Sequence, residues 1–188
     1  MVKLKPGGNP GLRDLHLRLL GIITVVIFLG LSILRPDVFL SLNNLRAMSY
    51  QLPEFALLAL AVSVTMLTGG IDLSIVGTAV LSAAVGILFL ESGWAGDSSA
   101  AAVAAIVIAL VTGAGCGCLN GALITRVRIS PILATLGTMQ LFTGLTVVLT
   151  GGTSLFGFSE HYLFLGNGSI LVIPVPLVTL LLAIGLMA

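Results

Sequence analysis

Long apolar stretches separated by short polar punctuation organise the chain. They divide into six runs, over 19–34, 53–68, 73–90, 100–124, 132–150 and 170–186. A helix needs roughly 20 apolar residues to cross a hydrocarbon core, so the second and third runs are short for a crossing. They are joined only by Gly69-Gly70-Ile71-Asp72. The pattern predicts an all-α integral membrane protein, one transmembrane domain over 1–188, with about six transmembrane helices and a tail over 1–18. A broken-helix hinge is expected near residues 69–74.

Asp72 is the charge that the apolar pattern does not explain. No charged residue occurs over 55–67 or 75–90 on either side of it. An ionised carboxylate in hydrocarbon is costly, so such a residue faces a polar path or a helix end. Two glycines followed by an acid also suit one helix stopping and another starting. Discontinuous helices of this kind build solute paths through transporters. Two readings of Asp72 follow: a cap on the N-terminus of the third span, which is favoured, or a direct ligand of the solute.

Polar residues at the run ends set the expected topology. The first run follows Lys3, Lys5, Arg13 and Arg18 and ends at Arg35-Pro36-Asp37. No small-x-small cleavage site follows it, so it reads as an uncleaved anchor with a cytoplasmic N-terminus. Ser41 is expected to cap a short interfacial helix with Leu42, Leu45 and Met48 on one face. Pro53 and Glu54 then open the second span, Glu54 as a capping charge. Segments 91–99 and 151–169 lack Lys and Arg and go outside, whereas Arg126 and Arg128 mark a cytoplasmic loop. Residues 53–90 cross twice or form a re-entrant pair. The localisation expected is multi-pass in the plasma (inner) membrane.

Composition supports the membrane assignment and removes other classes. The 188 residues are 57% hydrophobic and 8% charged, with mean hydropathy +1.20. Soluble domains carry about 25% charged residues. A net charge of +1 with scattered bases argues against nucleic acid as a partner. Cys116 and Cys118, two apart on a helix, face different directions, and His16 and His161 stand alone, so no metal site is expected. Lys3 and Lys5 are the only lysines, which leaves no phosphate loop, and no paired nucleophile and base falls inside the spans. Neither an enzyme nor a cofactor is expected. Trp94, the single tryptophan, suits an interfacial anchor.

Small and polar residues mark the fourth and fifth spans. Gly113, Gly117 and Gly121 recur every four residues, a flat stripe for helix packing, and Asn120 lies beside it. Thr135, Gly137, Thr138 and Gln140 can line a path or bond backbone carbonyls. Gly69, Gly70, Asp72, Ser74, Asn120, Thr135 and Thr138 are therefore the candidates for the solute path or hinge.

Three blocks resemble the ribose-type sugar permeases of ATP-binding cassette importers, within the branched-chain amino acid/ribose permease superfamily. They are Gly69-Gly70-Ile71-Asp72-Leu73-Ser74, Asn120-Gly121-Ala122-Leu123-Ile124, and the run from Ile129-Ser130-Pro131 to Gly137-Thr138-Met139. Ile173-Pro174-Val175-Pro176 is similar as well. The resemblance implies a permease subunit that passes a sugar inward. Pentoses rank first, then hexoses and furanose signalling molecules. It also implies a second permease subunit, a cytoplasmic ATPase and a periplasmic or lipid-anchored sugar-binding protein. The rival reading is a secondary carrier or channel that uses Asp72 for ion-coupled transport. A membrane anchor that scaffolds partners is the third.

Members of that family are longer, and the part beyond residue 188 would contain the loop that seats the ATPase. The resemblance thus implies a truncated product, a fragment, or a remainder supplied as another chain.

Overall fold

The computed structural model describes residues 10–93, 96, 98–156, 160–170 and 173–187. In chain order these form α1 (Pro10–Leu34), α2 (Pro36–Phe39), α3 (Leu42–Leu67), α4 (Ile75–Glu91), α5 (Ser99–Thr125), α6 (Pro131–Thr150) and α7 (Glu160–Asn167). A two-residue antiparallel pair, β1 (Ser169–Ile170) and β2 (Ile173–Pro174), then leads into α8 (Val175–Met187). The architecture is all-α, and the protein is a multi-pass membrane protein. Among the described residues four helices, α1, α3, α5 and α6, are long and apolar enough to cross a bilayer. At 17 residues, α4 spans about 26 Å, less than the roughly 30 Å of a hydrocarbon core, and α8 is shorter still. Trp94 and the two lysines lie outside the described residues.

The chain divides into two compact units, Met1–Met48 and Ser49–Ala188. In the first, Phe28 meets Phe39 edge to face with ring centroids 5.2 Å apart, tying α1 to α2. The Ser41 hydroxyl accepts the Asn44 backbone N–H at 3.2 Å and so caps α3. The Asn44 side chain reaches back to the Phe39 carbonyl at 2.8 Å.

Several boundaries differ from those that the sequence suggested. The tail is helical from Pro10, because its apolar residues continue the helix of the first run. α3 runs unbroken from Leu42, so Pro53 and Glu54 lie inside it and Glu54 caps nothing. Proline removes one N–H from the ladder, a loss that membrane helices tolerate when neighbouring groups re-satisfy the freed backbone. α4 starts at Ile75 rather than 73, because side-chain bonds hold the preceding residues non-helical. α8 starts at Val175, since the β1–β2 pair occupies the residues before it.

In the second unit α4 packs against both α5 and α6, and small residues bring the backbones together. A Cβ built on Gly77 would stand 3.0 Å from the Met139 carbonyl oxygen, and one on Gly86 would stand 2.9 Å from that of Ala105. Only glycine fits such approaches. Leu81, Cys116 and Phe142 form the core cluster, with Val85 packed against it. Most large apolar side chains of α1, α5 and α6 are exposed, the arrangement that a lipid solvent favours.

Candidate functional site

The candidate site grows from the break between α3 and α4. The Gly69 N–H bonds the Met66 carbonyl at 3.0 Å and the Gly70 N–H bonds that of Thr65 at 3.2 Å, the paired closure of a Schellman motif. Gly69 adopts φ 84, a left-handed backbone that side chains resist. Gly70 then presses on α6: a Cβ there would lie 3.3 Å from Pro131 Cβ. The helix ends at this point because its last carbonyls are satisfied and the chain can turn.

Residues 71–74 are held by side chains rather than by a helical ladder. The Thr135 hydroxyl accepts the Leu73 N–H at 3.1 Å and sits 2.8 Å from its own i−4 carbonyl, that of Pro131. Asp72 Oδ1 accepts both the Ser74 backbone N–H at 2.8 Å and the Ser74 hydroxyl at 2.7 Å. Asn120 Nδ2 donates to the same hydroxyl at 2.6 Å. The three residues form a directional chain from the Asn120 amide through Ser74 Oγ to the Asp72 carboxylate. Ser74 and Thr135 are fully buried, and Asn120 is buried too, but Asn120 Oδ1 has no partner.

Two cavities meet at this junction. One, of about 550 Å³, runs between α4 and α5 from Tyr162 and Ile106 down to Asp72 and Asn120. The other, of about 450 Å³, lies among Thr65, Gly69, Ile124 and Pro131. Asp72, Gly117 and Asn120 line both. Volumes of this order suit small molecules.

Most of the residues that the sequence singled out lie here. Gly69, Gly70, Asp72, Ser74, Asn120 and Thr135 line a cavity or bond to a residue that does. Thr138 lines neither cavity and joins the site only through Thr135: it is buried, and its hydroxyl bonds the Thr135 carbonyl at 3.2 Å. The glycine stripe divides by position. Gly113 approaches α4, where a Cβ would lie 3.2 Å from Ser82 Oγ, whereas a Cβ at Gly117 or Gly121 would meet nothing within 4 Å. Among the described residues no cluster of three or more His, Cys, Asp or Glu could hold a metal ion.

Thr78, Ser82 and Tyr162 also line the larger cavity and carried no sequence signal of their own. The four-residue spacing of Ser74, Thr78 and Ser82, a polar ladder on one face of α4, could have revealed the first two.

Residues 44–188 match the family model described as the branched-chain amino acid transport system / permease component. The chain is 38% identical over 166 residues to the ribose import permease protein of Bacillus subtilis (strain 168), covering 87% of this chain and 49% of that protein. It is 31% identical over 156 residues to the D-allose transport system permease protein of Escherichia coli (strain K12), covering 83% of this chain and 45% of that one. An autoinducer 2 import system permease protein of Escherichia coli O9:H4 (strain HS) is 32% identical over 152 residues, covering 77% and 44%. The chain therefore spans about half the length of these curated relatives. No solved structure matches it significantly.

Proposed function

The chain belongs to the family of branched-chain amino acid transport system permease components, and on that premise we propose that it is a membrane-spanning part of an ATP-binding cassette importer for a sugar. In this reading a binding protein outside the membrane delivers a pentose or similar sugar. A second permease subunit completes the pore, and a cytoplasmic ATPase drives the cycle. The chain crosses the membrane about six times with its N-terminus in the cytoplasm, α4 and α8 supplying the two short crossings.

The observation that carries this reading is the meeting of two cavities at Asp72, Gly117 and Asn120. A permease needs vestibules on two sides of a constriction whose walls can form and break hydrogen bonds. The broken helix supplies this, because irregular backbone at membrane depth is tolerated where it lines a cavity. The Asp72–Ser74–Asn120 chain ties the break to α5 without a salt bridge, so small shifts can open it. Tyr162 adds an aromatic surface at the far end of the larger cavity. The names of the relatives, which include ribose and D-allose permeases, favour a monosaccharide.

Uptake of radiolabelled D-ribose and D-allose into vesicles carrying the assembled transporter tests the proposal. Uptake that requires ATP and the ATPase is expected. Uptake driven by a proton gradient with the ATPase absent would overturn it in favour of an ion-coupled carrier.

A further inference from the structure

Two buried side-chain oxygens at the larger cavity, Ser82 Oγ and Asn120 Oδ1, have no hydrogen-bond partner. Buried polar atoms are almost always bonded, and each exception needs a reason. For Ser82 the exception is pointed. A serine or threonine in a membrane helix can satisfy its hydroxyl on the carbonyl four residues earlier. Ser63, Thr112, Thr143 and Thr146 all do so here, at 2.7 to 2.9 Å. Ser82 does not use that bond and turns towards α5.

There it meets Gly113, where even a Cβ would stand 3.2 Å from Ser82 Oγ. A side chain at 113 would press on the hydroxyl; with glycine there it stays buried just beneath the groove. Asn120 is 4% exposed and spends its amide N–H on Ser74, which leaves its carbonyl oxygen unbonded at the lower end of the same groove. Between the two, Gly117 leaves open space.

We propose that Ser82 Oγ and Asn120 Oδ1 are paired contacts for hydroxyl groups of a neutral polyhydroxylated solute lying along the α4–α5 groove, and so determine which solutes enter it. This rests on the permease reading for its solute class and deepens it. Both oxygens sit just under the cavity wall, so engaging them requires α4 and α5 to part slightly. Both are neutral, and Asp72, whose Oδ1 already holds the Ser74 N–H and hydroxyl, is the one acidic or basic side chain among the described residues that line the cavity. A negatively charged solute is repelled there. Hydroxyl donors, by contrast, satisfy two atoms that the empty protein leaves unsatisfied.

The test uses the assembled transporter without its binding protein, in a Cys116→Ser, Cys118→Ser background carrying Gly117→Cys as a reporter in the groove. Maleimide labelling of the reporter is timed with and without D-ribose, and ATP-driven uptake is measured in parallel on the transporter with Gly117 intact and its binding protein present. D-ribose is expected to slow labelling, and D-ribose 5-phosphate to leave it unchanged. Ser82→Ala and Asn120→Leu are each expected to weaken protection about tenfold, the factor for one good hydrogen bond. Ser82→Ala removes only an unbonded hydroxyl, so a purely structural role predicts unchanged or higher stability with protection intact. Protection unaltered in Ser82→Ala, or no protection in the reporter protein, overturns the proposal even if uptake proceeds. Protection without ATP-driven uptake would sink the importer reading and leave the binding site standing.

Discussion

Asn120 on α5 and Ser74 at the head of α4 are joined by a 2.6 Å hydrogen bond between residues 46 positions apart. The bond ties the residue ahead of α4 to α5. It also makes Ser74 Oγ both an acceptor from Asn120 and a donor to Asp72. Replacing Ser74 by Ala breaks both links and leaves the Asn120 amide N–H buried without its acceptor. Interhelical hydrogen bonds in membranes contribute about 0.6 kcal/mol on average and at most about 1.7. Ser74→Ala is expected near the upper value, because two bonds are lost at a fully buried site. Thermal unfolding in detergent checks it, and a variant as stable as the parent would show that the chain carries no strength.

The glycines of α4 and α5 should separate into two classes. Gly86→Ala places a Cβ 2.9 Å from the Ala105 carbonyl oxygen, a contact that backbone cannot yield cheaply. Overpacking of this kind costs about 1–3 kcal/mol, so membrane accumulation should fall. Gly117→Ala meets nothing within 4 Å and should stay within about 0.5 kcal/mol of the parent. Gly117→Leu should accumulate normally yet lose uptake, because its side chain fills the space shared by the two cavities. Poor accumulation of Gly117→Leu would instead place this face against another helix.

The proposed orientation is checked by labelling single cysteines with an impermeant maleimide from outside the cell. Ser154→Cys, in the segment after α6, is expected to label. Ser130→Cys, just ahead of α6 and beside Arg126 and Arg128, is expected to stay protected until the membrane is permeabilised. Ser98→Cys should also label, at about 1 kcal/mol of stability, because the Ser98 hydroxyl accepts the Ala101 N–H at 3.2 Å and caps α5. Labelling of Ser130→Cys in intact cells would reverse the assignment.

The end of α3 was legible because its signals are local: Gly-Gly closes a helix. Ser41 was legible as a cap for the same reason. The favoured reading of Asp72 as the cap of the next helix is corrected: Ser74 is the N-cap residue of α4, and Asp72 holds the N–H and hydroxyl of Ser74 itself. Pro53 misled, since a proline is compatible with both a helix start and a membrane helix interior, and only neighbouring groups decide between them. The glycine stripe was visible in sequence, but which glycines touch α4 depends on the rotation of α5. Hydrophobic periodicity says little about that rotation in helices apolar on every side. Ser82 was missed because a serine in an apolar helix ordinarily bonds its own backbone, so its spacing from Ser74 and Thr78 carried no weight. What singles it out is the bond it does not make.

Asp72 offers the sharpest test of what the junction does. Its Oδ1 accepts the Ser74 N–H and hydroxyl, so its visible work is to shape the turn into α4 and to hold Ser74 for Asn120. An asparagine keeps an oxygen in that position and can accept both bonds, while a leucine can accept neither. Asp72→Asn is therefore expected to fold and to retain uptake within about threefold, corresponding to the roughly 0.5–1.5 kcal/mol of an ordinary hydrogen bond at its lower end. Asp72→Leu should lose both bonds, leave the Ser74 N–H buried and unpaired, and accumulate poorly. Uptake of labelled sugar, normalised to protein in the membrane, separates this from direct solute contact. If Asp72→Asn folds, docks the ATPase and still transports nothing, the negative charge itself acts on the solute or on a coupled ion, and the positioning role fails.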